Sequence, residues 1–172
     1  MGNDLNKKIG IITFHNSYNC GSMLQAFALQ QVINRLTGRK SEIVDFSNEG
    51  QQKLYSVRQP NDSLKNVIKN IILAPWFKRI ARNYESYERF KKNNFRLSNF
   101  PIHKSADLSD ADYDIVVAGS DQVWNITIED GDDAYFLPWV KLAKKVAYAP
   151  SFGAKNIADF ADDPIRYAKY LK

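Results

Sequence analysis

The chain has little of what most readily announces a function. Its 172 residues include one cysteine, Cys20, and two histidines, His15 and His103. A single thiol closes no internal disulfide, so nothing in the sequence calls for an oxidising compartment. Two distant histidines and one cysteine lack metal-ligand spacing, and no metal is expected. No apolar run approaches the length of about 20 residues that crosses a bilayer. The opening Met1-Gly2-Asn3-Asp4-Leu5-Asn6 carries neither the apolar core of a signal peptide nor the Ser/Thr of a myristoylation site. Cytoplasmic residence is the expectation, with peripheral attachment to the inner face of the membrane as its variant; the sequon Asn125-Ile126-Thr127 is then without meaning. Charge of one sign is not extreme either. A balance of 24 basic against 19 acidic residues suits an anionic ligand but lacks the excess of a nucleic-acid binder, and no nucleic-acid partner is expected.

What is present is the pattern of one α/β domain, with 44% hydrophobic residues to close a core. Ile9-Gly10-Ile11-Ile12-Thr13-Phe14 reads as a buried strand, followed by a polar loop over residues 15–21. Ser22 stands where a helix N-cap belongs, Leu24, Phe27, Ala28, Val32, Ile33 and Leu36 recur at helical spacing, and Gly38 follows as a stop. Glu42-Ile43-Val44-Asp45-Phe46 is the next strand, which completes a βαβ unit and implies a parallel sheet. A polar excursion over 47–60 precedes a helix at 63–73, an interruption at Pro75 and a basic helix at 77–95. The plain reading of that basic helix is a solvated outer face; the sharper one is a wall facing an anionic ligand or a membrane surface.

The most informative stretch comes next. The strand Ile115-Val116-Val117-Ala118 runs into the turn Gly119-Ser120-Asp121-Gln122-Val123-Trp124-Asn125. After the acidic loop Glu129-Asp130-Gly131-Asp132-Asp133, read as solvated though also suited to a hydroxyl-rich acceptor, the strand Lys145-Val146-Ala147-Tyr148-Ala149 ends in a second glycine-bearing turn, Pro150-Ser151-Phe152-Gly153-Ala154, and a helical segment carries the chain to its last residue. Loops that follow parallel strands share one sheet edge, where open α/β sheets bind ligands. Residues 15–21, 119–125 and 150–153 should therefore converge. The first of them has neither the spaced glycines of a dinucleotide fold nor a P-loop ending, so nucleoside triphosphate binding by that route is not expected. Asp121 can serve as a base, accept sugar hydroxyls or cap its turn with Ser120; His15 can transfer protons or bond the backbone; Gly21-Ser22 can hold an anion or cap a helix. Trp124, Tyr135 and Trp139 can stack on a sugar or fill the core. Cys20 near a helix start is a weak nucleophile candidate.

In order, Lys8-Ile9-Gly10-Ile11-Ile12-Thr13-Phe14-His15, Asn19-Cys20-Gly21-Ser22-Met23-Leu24-Gln25-Ala26, Val44-Asp45-Phe46, residues 118–125 and residues 145–153 resemble the polysaccharide pyruvyl transferase family. The Gly-Ser-Asp-Gln-Val-Trp-Asn and Ser-Phe-Gly turns carry most of the likeness. The resemblance implies a Rossmann-like domain with a largely parallel sheet and helices on both faces, similar to the N-terminal domain of a B-type glycosyltransferase. It also implies transfer of the pyruvyl group of phosphoenolpyruvate, the donor co-substrate, onto two sugar hydroxyls as a cyclic ketal. On this resemblance Asp121 and His15 are the catalytic candidates. Asn16, Asn19, Gly21, Ser22, Gly119, Ser120, Gln122, Trp124, Asn125 and Ser151 are the substrate-binding ones.

Where members commonly carry an aromatic residue before the glycine, this chain has Cys20, which argues against a thiol nucleophile. The family's donor-binding Arg and His residues belong to a C-terminal domain that the length here does not accommodate. Residues 1–172 are thus expected to be a single N-terminal, acceptor-side half with a helical excursion at about 62–97. The expected partners are a glycan or lipid-linked saccharide acceptor and either a separate C-terminal half or a second copy. The alternative is a non-catalytic carbohydrate-binding or scaffold module from a truncated gene.

Overall fold

The computed structural model describes residues 8–153 and 156–171; the opening residues and Ala154 of the third loop lie outside them. Strand β1 (Lys8–Ile12) leads to helix α1 (Cys20–Thr37) and strand β2 (Ser41–Ile43), parallel to β1 with Ile11 opposite Ile43. Helices α2 (Glu49–Leu54), α3 (Leu64–Leu73) and α4 (Phe77–Asn94) follow, then β3 (Tyr113–Asp121), β4 (Lys144–Pro150) and the short helices α5 (Ile157–Phe160) and α6 (Pro164–Tyr170). All pairings are parallel, in the order β2-β1-β3-β4. The expected α/β fold with a parallel sheet is what the chain forms.

Alternation along the strands divides the core in two. Ile11 and Ile43 face α1, where Met23, Ala26 and Leu29 meet them together with Phe95 from beyond α4. Ile12, Val44, Val116 and Ala118 face the other way, against Phe14, Phe46 and the fully buried Tyr135 of a 3₁₀ turn (Asp133–Phe136). Gln30 spans the first face without leaving a polar group unpaired: its amide donates to the Arg96 carbonyl at 2.9 Å and its oxygen accepts the Arg96 N–H at 3.1 Å.

Two strand ends differ from the sequence reading. β2 stops at Ile43 rather than Phe46, because the Phe46 N–H turns back to the Val44 carbonyl at 2.7 Å and bends the chain. The returning segment 97–102 then takes up the outer side of β2, with the Ser98 N–H on the Ile43 carbonyl at 2.8 Å and the Ile102 N–H on that of Asp45 at 2.7 Å. β3, in contrast, continues through Gly119, Ser120 and Asp121, the residues read as the start of a turn. Gly119 permits this: its φ is +113°, and a Cβ there would fall on the Tyr148 carbonyl of β4. The N-terminal end of α1 also moves, since Asn19 and not Ser22 is the N-cap, accepting the Ser22 N–H at 2.8 Å.

At the opposite sheet edge Asp110 anchors the entry to β4. One carboxylate oxygen accepts the N–H groups of Lys141, Leu142 and Ala143 at 2.7, 2.5 and 2.8 Å. Burial alone would raise its pKa, but these three donors hold it below the usual carboxylate range. Asp110→Ala leaves three N–H groups facing no acceptor and should cost about 2–4 kcal/mol in urea unfolding, with Asp110→Asn costing less because one acceptor oxygen remains.

Candidate functional site

The three loops converge as their topology requires. The Ser151 N–H bonds the Asp121 carbonyl at 2.9 Å and the Trp124 N–H bonds the Ser151 carbonyl at 3.2 Å, which laces the second loop to the third. Ser22 Oγ donates to Asp121 Oδ2 at 2.8 Å across from the first turn of α1. Deeper in, Ser120 Oγ bonds Gln25 Oε1 at 2.7 Å, Gln25 Nε2 bonds Thr13 Oγ1 at 2.8 Å, and Thr13 Oγ1 returns to the Ser120 carbonyl at 3.3 Å. The ends of β1 and β3 and the start of α1 are thereby one rigid unit.

Asp121 stands at φ +80°, a left-handed conformation that a non-glycine residue adopts at a cost. Both carboxylate oxygens are held, Oδ2 by Ser22 and Oδ1 by the Gln122 N–H at 2.8 Å. It lines a cavity of about 420 Å³ together with Ser17, Asn19, Ser22, Gln122 and the acidic pair Glu129 and Asp130. Asp130 is buried rather than solvated, against the reading of its loop. Burial, helped by the charges of Asp121 and Glu129, pushes its pKa up against the opposing Ser17 hydroxyl, whose Oγ is 3.5 Å from Oδ2. The cavity thus sets an oriented carboxylate beside one that holds its proton to higher pH, an arrangement suited to moving protons.

His15 is turned elsewhere. It is fully buried, with Nδ1 3.2 Å from the Thr13 carbonyl and Nε2 2.9 Å from Asp45 Oδ1. Both partners are acceptors, so the nitrogen that carries the ring proton donates to one of them. Asn16 adds its amide to the same Asp45 oxygen at 3.2 Å and accepts from Lys91 Nζ of α4 at 2.8 Å. Burial would raise Asp45, yet the His15 hydrogen bond and charge, with Lys91 and Asn16, hold it below the usual carboxylate range. Lys91 is also paired with Glu88 at 2.7 Å, and Glu88 accepts the Tyr18 hydroxyl. This network lines a second cavity of about 550 Å³ with Gln51, Tyr55, Tyr84 and His103. The two cavities share Tyr55 and are separated by the β1–α1 loop. The structure therefore brings Asn19, Ser22, Asp121 and Gln122 together around one space and Asn16 around the other, with His15 supporting the loop between them.

The remaining candidates are structural neighbours. Asn125 is buried, bonding Gln122 Oε1 at 3.0 Å and accepting from the Thr127 N–H and hydroxyl. The Trp124 ring stacks on Phe136 with centroids 5.5 Å apart and its Nε1 donates to the Tyr135 carbonyl at 3.0 Å. Gly21 occupies the first turn of α1, and Cys20 is exposed with its sulfur 3.5 Å from the Tyr87 hydroxyl. Asp45, Lys91, Ser17 and Asp130 were not among the sequence candidates. Nothing local separates Asp130 from its acidic neighbours or Lys91 from the other cations of α4, since only the packing of distant loops selects them.

The family model described as polysaccharide pyruvyl transferase matches residues 19–171, which spans helices α1 to α4 and the second and third loops and begins after β1 and His15. No curated protein and no solved structure gives a significant match.

The His15–Asp45 pair carries a stability prediction. Because the Asp45 pKa is depressed on folding, its contribution is complete above the unfolded carboxylate value near 4 and disappears as pH falls through the lower folded value. Asp45→Asn should therefore cost about 2–3 kcal/mol in urea unfolding at neutral pH, and the gap to the native chain should narrow in acid.

Proposed function

Since the chain belongs to the polysaccharide pyruvyl transferase family, we propose that it provides the acceptor side of pyruvyl transfer from phosphoenolpyruvate to two hydroxyls of a glycan or its lipid-linked precursor. The observation that carries this reading is the charge of the Asp121 cavity. Among the described residues its lining holds Asp121, Glu129 and Asp130 and no Lys or Arg. Such a space offers no cation to hold the carboxylate and phosphate of a donor, while its carboxylates and amides are suited to a polyhydroxylated ligand.

In the proposed reaction a proton is delivered to the methylene carbon of the enol, the first sugar hydroxyl adds to the adjacent carbon, phosphate leaves with its C–O bond electrons, and the second hydroxyl closes the ketal. Two hydroxyl protons are lost in all; one balances the proton given to carbon and the other accompanies phosphate. Asp121, oriented by Ser22 and the Gln122 N–H, takes the hydroxyl proton. Asp130 is the acid that the cavity offers, in place of the enclosed His15. The cations that bind and stabilise the donor come from a C-terminal half of the B-type glycosyltransferase kind, on a separate chain or a continuation of this one.

Supplied with such a half from a family member, the chain should release phosphate from phosphoenolpyruvate only when an acceptor glycan is present, and Asp121→Asn should lower kcat by about 10²–10⁴-fold. Undiminished turnover by Asp121→Asn removes that residue from the reaction. Tight calorimetric binding of phosphoenolpyruvate to this chain alone overturns the acceptor-side assignment, and glycan binding without turnover in any pairing makes the chain a carbohydrate-binding module.

A further inference from the structure

Helix α3 has its amphipathy reversed. At 3.6 residues per turn Leu64, Ile68, Ile71 and Ile72 fall on one side, and that side faces solvent, with exposures of 77, 48, 67 and 62%. Trp76, in the 3₁₀ turn that follows (Ala74–Trp76), extends the apolar surface at 52% exposed. The other side, with Asn66, Val67, Asn70 and Leu73, is half-buried. Asn70 accepts the Gln59 N–H at 3.0 Å and donates to the Gln59 carbonyl at 2.8 Å, and Asn66 donates to Asp62 at 2.8 Å. An isolated exposed isoleucine needs no explanation, but a contiguous apolar face over three turns does.

Charge identifies what the face fits. Between Leu64 and Arg82 the chain holds Lys65, Lys69, Lys78, Arg79 and Arg82 and not one Asp or Glu. All five cations are exposed, and none forms an ion pair among the described residues. On the helical wheel Lys65 and Lys69 border the isoleucine side. A second copy of the chain would oppose like charge to like charge across this surface. An aliphatic face with a terminal tryptophan and a border of unopposed lysine and arginine is instead complementary to a lipid surface with anionic headgroups.

We propose that α3, the 3₁₀ turn and the first turns of α4 form a membrane-surface anchor that lies in the plane of an anionic bilayer. The isoleucines and Trp76 enter the boundary between headgroups and acyl chains, and the five cations rest among the headgroups. No helix among the described residues is long and apolar enough to cross a membrane, so attachment through this segment is interfacial. The inference is independent of the roles given to Asp121 and Asp130.

Co-flotation with unilamellar vesicles tests it. The chain should float with vesicles of phosphatidylglycerol and phosphatidylcholine in equal parts, remain in solution with phosphatidylcholine alone, and be released by high salt. Ile68→Glu with Ile72→Glu should abolish flotation, and Lys65→Gln with Lys69→Gln should weaken it about tenfold or more. Leu142→Glu, at an exposed apolar residue before β4, should leave it unchanged. Circular dichroism and sedimentation without lipid establish that the variants are folded. Failure of the native chain to float, flotation indifferent to the α3 variants, or a dimer that Ile68→Glu with Ile72→Glu dissociates would each overturn the proposal.

Discussion

The organisation of the binding edge depends on one buried contact, that of His15 with Asp45. The loop between β1 and α1 crosses the carboxyl edge of the sheet, and its first side chain is enclosed between two acceptors, the Thr13 carbonyl and the Asp45 carboxylate. Once that ring is fixed, the next four residues each reach a different part of the protein. Asn16 bonds Asp45 and Lys91, Ser17 bonds Asp130 and Gln51, Tyr18 bonds Glu88, and Asn19 caps α1. The loop becomes a partition with a cavity on either side. A buried polar pair is weak evidence for net stability, but loss of one partner leaves the other unmet, so the pair is effective at holding a single arrangement.

The electrostatics of the two sides of the molecule are opposed. Acidic groups gather where the loops converge, and cations without an ion pair among the described residues gather on α3 and the start of α4. A mild net positive charge therefore hides a strongly divided distribution. In the proposed reaction the acidic cavity suits the polyhydroxylated acceptor, and the cations for the anionic donor come from elsewhere. The basic, apolar face of α3 has a different task, for which desolvation of isoleucine and neutralisation by headgroups are the relevant forces.

Much of this was readable before any tertiary structure. Strand, helix and strand in the first 46 residues follow from a short apolar run, an apolar pattern at helical spacing and a glycine stop, all of which are local properties. The convergence of the three loops followed from parallel topology alone, and the motif around Asp121 pointed to the family. The errors were also local in origin. Gly-Ser-Asp reads as a turn because those residues favour turns, yet here Gly119 allows β3 to continue past the Tyr148 carbonyl. Ser22 resembles a cap, but Asn19 reaches the same N–H first.

What the sequence by itself determined is the βαβ opening, the longer helices, the parallel character of the sheet and the convergence of its three loops, because these depend on periodicity and on the short range of turns and caps, whereas α2 forms within residues read as a polar loop. What only the tertiary structure decided is which polar residue faces which. Asp130 is buried beside Asp121 while Glu129 is exposed, His15 is committed to Asp45, and the apolar side of α3 looks outward. Each of these outcomes is a matter of burial and of partners up to 113 positions apart, as between Ser17 and Asp130, and such pairings leave no trace in local sequence.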